Sequence, residues 1–228
     1  MPVVLQDSES ISTIIVTSDK IDDTSKRWPI QCSGQYAEEG KAYQGCTPVQ
    51  GGTCDRLVTD DFLTEKEVAR LIKMAEVGMS RSKTKKKLGP TIMDINSGWV
   101  LPPSSHQPSS IYSKGQLYSP EDYELYKDVT QRLKKSVEET FNVKNLYFTA
   151  PTFITREVGS MKWKPKTMHD EYWHPHVDKN NTGHYDYSGL IYLSTHGTDF
   201  KGGELHFYDH SNLDCSKFVG AFILFFFL

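Results

Sequence analysis

The sequence contains no Cys-x-x-Cys, no HExxH and no histidine pair at zinc-finger spacing, which excludes zinc ribbons, zinc fingers and zincin-type peptidases. It has no apolar run of the roughly 20 residues that a membrane-spanning helix needs. The longest apolar stretch, FVGAFILFFFL at residues 218–228, is too short for that and suits a buried strand. The amino end, MPVVLQDSES, lacks a basic start and a long apolar core, so no secretory leader is expected. Neither sign of charge dominates: 26 Lys and Arg face 29 Asp and Glu, for a net charge of −3. Overall charge therefore gives no affinity for nucleic acid or an anionic membrane. The basic run from Arg81 to Lys87 lies between a helical pattern and a Gly-Pro turn, and reads as a solvated loop. No internal repeat is present.

Cysteine is scarce and unevenly placed. Cys32, Cys46 and Cys54 crowd the first quarter and Cys215 stands alone near the end. Around the first three the chain is poor in core residues, so a disulfide in an oxidising compartment would suit it. Free thiols are the equal alternative, and the pairing stays open.

A chain of 228 residues, 37% hydrophobic and 24% charged, has the make-up of a soluble globular protein. Residues 1–56 are polar and irregular and form a cysteine-containing N-terminal segment. Residues 57–228 carry the periodic patterns of a domain. Thr64-Glu-Lys-Glu67 is a capping box, followed by Val68, Leu71, Ile72, Ala75 and Met79 on one helical face. Ser119-Pro120-Glu121 opens a second helix, with Leu125, Val129, Leu133, Val137 and Phe141 as its apolar stripe. Residues 80–118 between them read as loops with short strands. Strands are expected at residues 146–156 (LYFTAPTFITR), 187–194 (YSGLIYLS), after Gly202-Gly203 (ELHFY) and at 218–228. Helices first and strands second predict an α+β fold, with helices on one face of an antiparallel sheet or sandwich.

The chemistry concentrates in residues 169–179, HDEYWHPHVDK. If this stretch is extended, His176 and Asp178 share one side, since side chains alternate with period two. One imidazole and one carboxylate make two of the three corners of a 2-His-1-carboxylate site, which holds non-haem Fe(II) and leaves positions open. The bland alternative is a hydrated rim of polar groups bonded to one another. His174 falls on the same side, so a zinc or cupin-like site is a further alternative. The cupin pattern needs a Glu a few residues on, where this chain has Lys179, Asn180 and Asn181. Arg156, at the end of its expected strand, could reach an anion, although a surface salt bridge is the simpler reading. Tyr172, Tyr187 and Tyr192 are further candidates for the same neighbourhood, with no choice among them. Asn180-Asn181-Thr182 is a glycosylation sequon close to Asp178.

HDEYWHPHVDK, YDYSGLIYLS and DFKGGELHF together resemble the prolyl-4-hydroxylase-like Fe(II)- and 2-oxoglutarate-dependent dioxygenases. Cys32, Gly45-Cys46-Thr47-Pro48 and Cys54, the two helices and Pro151-Thr152-Phe153 fall in the same order, so the resemblance spans roughly residues 30–210. It implies a double-stranded β-helix, or jelly roll, flanked by N-terminal helices. It implies Fe(II), 2-oxoglutarate as cosubstrate and O2, and allows for ascorbate. His176 and Asp178 match the first two metal ligands. The partners implied are 2-oxoglutarate and an unidentified substrate, protein among the options, with no nucleic acid. Family members carry a membrane anchor and look like proteins of the secretory-pathway lumen (ER or Golgi), whereas no membrane segment is expected in this chain.

The resemblance also sets a third-ligand histidine after a strand beyond the Gly-Gly segment. A basic residue for the far carboxylate of 2-oxoglutarate comes later still. Residues 218–228 match that strand, so both groups and the last jelly-roll strands are expected to be missing from a C-terminally truncated chain. His184, His196, His206 and His210 do not stand at the third-ligand position; replacement of that ligand by one of them is the minor alternative, His206 facing either inward or outward, and surface histidines are the simpler reading. Two functions follow: a dioxygenase by family, or a catalytically inactive truncated form that acts as a binding module.

Overall fold

The computed structural model describes residues 12–16, 25–30, 54–82, 88–103, 105, 107–148, 153–159, 187–201, 205–209 and 224–227. Strands β1 (Ser12–Val16), β2 (Ser25–Ile30) and β3 (Cys54–Thr59) come first, then helix α1 (Glu65–Met79). Strands β4 (Gly89–Asp94), β5 (Trp99–Leu101) and β6 (Ser109–Ser110) lead to helix α2 (Pro120–Thr140). Strands β7 (Phe153–Val158), β8 (Gly189–Tyr192), β9 (Leu205–Asp209) and β10 (Leu224–Phe227) complete the order. Six of them form one sheet in the order β6-β5-β4-β7-β10-β8, while β1 pairs with β9 and β2 with β3. Two helices on a sheet that is antiparallel from β6 to β7 agree with the α+β expectation.

Both helices begin where the sequence says and for the expected reason. At α1 the Glu67 N–H donates to Thr64 Oγ1 at 3.3 Å, and the Thr64 N–H donates to Glu67 Oε2 at 2.7 Å. At α2 the Asp122 N–H donates to Ser119 Oγ at 3.3 Å, and the Ser119 N–H to Asp122 Oδ2 at 2.9 Å. Each box satisfies backbone donors that a helix start leaves unpaired. The two boxes are then cross-linked. Arg70 of α1 donates to Asp122 of α2, and Arg132 of α2 donates to Glu67 of α1. Burial disfavours the charged Asp122, but Arg70 and the Ser119 N–H outweigh it and hold its carboxyl below the ordinary range. Asn142, in the left-handed conformation at φ 51°, ends α2 in the place often taken by glycine.

The buried faces are centred differently from the expected stripes. In α1 Leu71, Ala75 and Met79 are buried as expected, and Met74 and Gly78 join them, whereas Val68 and Ile72 are only half-buried. In α2 the buried set is Asp122, Tyr126, Val129, Thr130 and Val137. A stripe spaced strictly by four drifts about 40° per step around a helix of 3.6 residues per turn, so no single neighbour could cover all of it. The core joins these helical residues to Met93 of β4, Val100 of β5, Ile154 of β7 and Ile191 of β8. Gly78 packs α1 tightly against the β4 side chain of Met93. A Cβ there would overlap Met93 Sδ and the Tyr118 hydroxyl, and that hydroxyl donates to the Met74 carbonyl at 3.0 Å.

Three expectations for the strands change. The strand placed at residues 146–156 begins only at Phe153, after Pro151; residues 143–148 have no regular structure. Leu146 of that stretch packs instead with Val137, Val143 and Tyr187 in a second apolar cluster. The sheet is mixed, because β10 runs parallel to both β7 and β8. Parallel neighbours need long connections rather than hairpins, and the chain between β7, β8 and β10 is long enough to supply them. Finally, β1 and β2 form where the sequence shows no periodicity. The pairing of β1 with β9 joins residues nearly the whole chain apart, a contact that no local pattern announces.

Replacing Gly78 with Val should lower the unfolding free energy by about 1–3 kcal/mol through overpacking against Met93 and Tyr118. Chemical denaturation would read this, and an unchanged midpoint would contradict the close approach. Ser119→Ala should cost about 1 kcal/mol for the lost N-cap acceptor. Asp122→Ala should cost more than Ser119→Ala, since it also leaves Arg70 without its partner. Because the Asp122 carboxyl is depressed, its contribution is present above pH 3.8 and is lost as pH falls through the lower folded value. The gap between Asp122→Ala and the parent protein should therefore close in acid.

Candidate functional site

His176 and Asp178 lie outside the described residues, as do His174, Tyr172, the Asn180 sequon, Gly202-Gly203, His184, His210, Cys32, Cys46 and Cys215. The pair falls in the connection that joins β7 to β8, and those two strands are described. Among the described residues no group of three His, Cys, Asp or Glu side chains could hold a metal ion. Among the described residues no helix is long and apolar enough to cross a membrane.

Strand β7 presents two unlike faces. Ile154 is fully buried and belongs to the core beneath the helices. Its neighbour Thr155 points to the other side and is just as closed off, at 1% exposure. Thr155 Oγ1 is buried without a hydrogen-bond partner, and so is Oε1 of Glu157, two residues on and on the same side. The register sets Thr155 level with Ile92 of β4 on one side, and through β10 with Tyr192 of β8 on the other. Two strand spacings separate Thr155 from Tyr192, about 10 Å between backbones. Thr155, Glu157 and Tyr192 thus form a polar row on the face turned away from the helices, on the two strands that flank the His176–Asp178 connection.

Electrostatics within the row are those of a desolvated carboxyl. Burial raises the Glu157 carboxyl above its ordinary value of 4.5, with no cation offsetting it. Burial first, and then the charge of Glu157, push the Tyr192 hydroxyl up to about 12. Tyr192 itself remains 45% open to solvent. Each unpaired buried polar atom costs about 1–3 kcal/mol. Such costs mark places where something other than stability shapes the sequence.

The other sequence candidates separate. Arg156 lies within β7 rather than at its end, half-buried, with Nε enclosed and without a hydrogen-bond partner. The surface salt bridge read for it is therefore replaced: among the described residues Arg156 has no ion pair, because alternation turns it toward the helix side beside Thr91. Tyr187 leaves the neighbourhood of Tyr192 and packs its ring 5.4 Å from that of Phe141. His196 sits edge-on to Phe200, with centroids 5.3 Å apart. His206 is on β9, opposite Ile15 of β1. Thr155 and Glu157 were not singled out from the sequence. The signal was present in the alternation Ile154-Thr155-Arg156-Glu157, which places two polar residues on one side of a strand whose other side is apolar.

Comparison with known proteins adds what the described geometry does not carry. Four curated proteins match the chain, and their names indicate a 2-oxoglutarate and iron-dependent oxygenase family. All are named 2-oxoglutarate and iron-dependent oxygenase domain-containing protein 3. The Xenopus tropicalis protein is 36% identical over 185 residues, covering 79% of this chain and 56% of that relative. The Rattus norvegicus protein is 35% identical over 189 residues, 80% of this chain and 57% of the relative. The Homo sapiens protein is 36% identical over 184 residues, 78% of this chain and 54% of the relative. The resemblance read from the sequence is borne out as far as a 2-oxoglutarate and iron-dependent oxygenase, which is what the names of these relatives state. The chain spans little more than half the length of the curated relatives it matches. No family model matches the chain, and no solved structure matches it.

The sign of the Glu157 effect gives a direct test of the row. A raised folded value means that the folded protein holds this proton after the unfolded chain has released it, so stability falls as pH rises from about 4.5 through the folded value. Glu157→Gln keeps the shape without the ionisation. The stability difference, Gln variant minus parent, should be small below pH 4.5 and grow in favour of the variant toward neutrality. Thermal unfolding across that range reads it, and a pH-independent difference would remove the buried carboxyl from the account.

Proposed function

We propose that the chain carries the metal-binding core of an Fe(II)- and 2-oxoglutarate-dependent hydroxylase of the prolyl-4-hydroxylase type, acting on a C–H bond of a protein or other substrate. The observation that carries this reading is the similarity to relatives whose names state both iron and 2-oxoglutarate dependence. His176 and Asp178 are the residues we assign to the metal. Their donors fit Fe(II): an imidazole nitrogen and a carboxylate oxygen are the ligands of the 2-His-1-carboxylate site, and no competing metal cluster exists among the described residues.

When bound, Fe(II) with O2 and 2-oxoglutarate supplies the oxidising power to convert C–H to C–OH, one oxygen atom going to the substrate and the other to succinate as CO2 is lost. Ascorbate fits as the reductant that keeps iron divalent. The part of this chain is to provide ligands and a dry surround. His176 must offer a neutral nitrogen and Asp178 an ionised oxygen, and both leave coordination positions for the cosubstrate. On β7, the strand that precedes them in sequence, Thr155 is closed off and burial raises the Glu157 carboxyl above its ordinary value, which favours a surround poor in water. Exclusion of water strengthens every polar contact made there.

We read the six-stranded sheet as one layer of a double-stranded β-helix. What supports this is that β7 is covered on both faces: Ile154 by the helix-side core and Thr155 on the opposite side. A sheet with a single helical layer would leave the second face open to solvent. We place the protein in the secretory-pathway lumen, on the strength of the Asn180-Asn181-Thr182 sequon and the crowded cysteines of the first quarter.

Anaerobic titration of the purified chain with Fe(II), read by calorimetry, tests the assignment. His176→Ala and Asp178→Ala should each weaken binding by about 10-fold or more, at least the loss seen when only a ligand's support is removed. Succinate formation from 2-oxoglutarate in air should fall with them. Unchanged metal affinity in both variants would sink the ligand assignment.

A further inference from the structure

We draw no further inference here: the strongest candidate, the row of Thr155 and Glu157 on β7 with Tyr192 on β8, belongs to the site already described, and nothing among the described residues shows what covers that face of the sheet.

Discussion

Burial of one face of β5, β4 and β7 beneath two clasped helices is the constraint from which the rest of the structure follows. Met93, Val100 and Ile154 occupy matched register positions on three neighbouring strands, and α1 and α2 close over them. Helix α1 can pack so closely on β4 only because Gly78 offers no side chain where Met93 and Tyr118 stand. The mutual orientation of the two helices is set by a reciprocal pairing in which each helix sends an arginine to the capping acid of the other. Asp122 and Glu67 each serve twice, once to start a helix and once to hold its partner. Exposed ion pairs are worth little singly. These two gain from carboxylates that the capping geometry already fixes in place.

That packing decides what the other face of β7 must be. With Ile154 committed to the helix side, Thr155 and Glu157 turn together toward the opposite side, where Thr155 is closed off, Glu157 is half-buried, and one side-chain oxygen of each lacks a partner. A strand selected for stability alone would carry apolar residues at those positions, as Ile92 does beside Thr155. The polar row lies on the strands that bracket the stretch with His176 and Asp178. The helices close one side of the six-stranded sheet, and the polar row lies on the other.

Much of this was legible in the residues. Both helix starts could be read, because a capping box is an interaction over three residues and needs nothing distant. The strand cores at Gly189–Tyr192 and Leu205–Asp209 were visible as short β-branched and aromatic runs. The family was visible too, since HDEYWHPHVDK and DFKGGELHF are long, specific stretches. The helical stripes were less secure. Val68 and Ile72 yield to Met74 and Gly78 because the position of β4 against α1 chooses which arc is covered. Arg156 was misplaced for a similar reason: only the true start of β7 at Phe153 determines which way residue 156 turns.

Sequence alone therefore settled what depends on near neighbours: where the helices begin and the α+β order of elements, and it supplied the imidazole–carboxylate pair proposed as metal ligands. Only the tertiary structure decided which strands pair, that β10 enters the sheet between β7 and β8 in parallel, and which face of each strand is closed. It also decided that Glu157 holds its proton more tightly than an ordinary glutamate. A carboxyl's affinity for a proton is set by the water taken from it, and that desolvation comes from elements far away along the chain, which no local pattern of residues encodes.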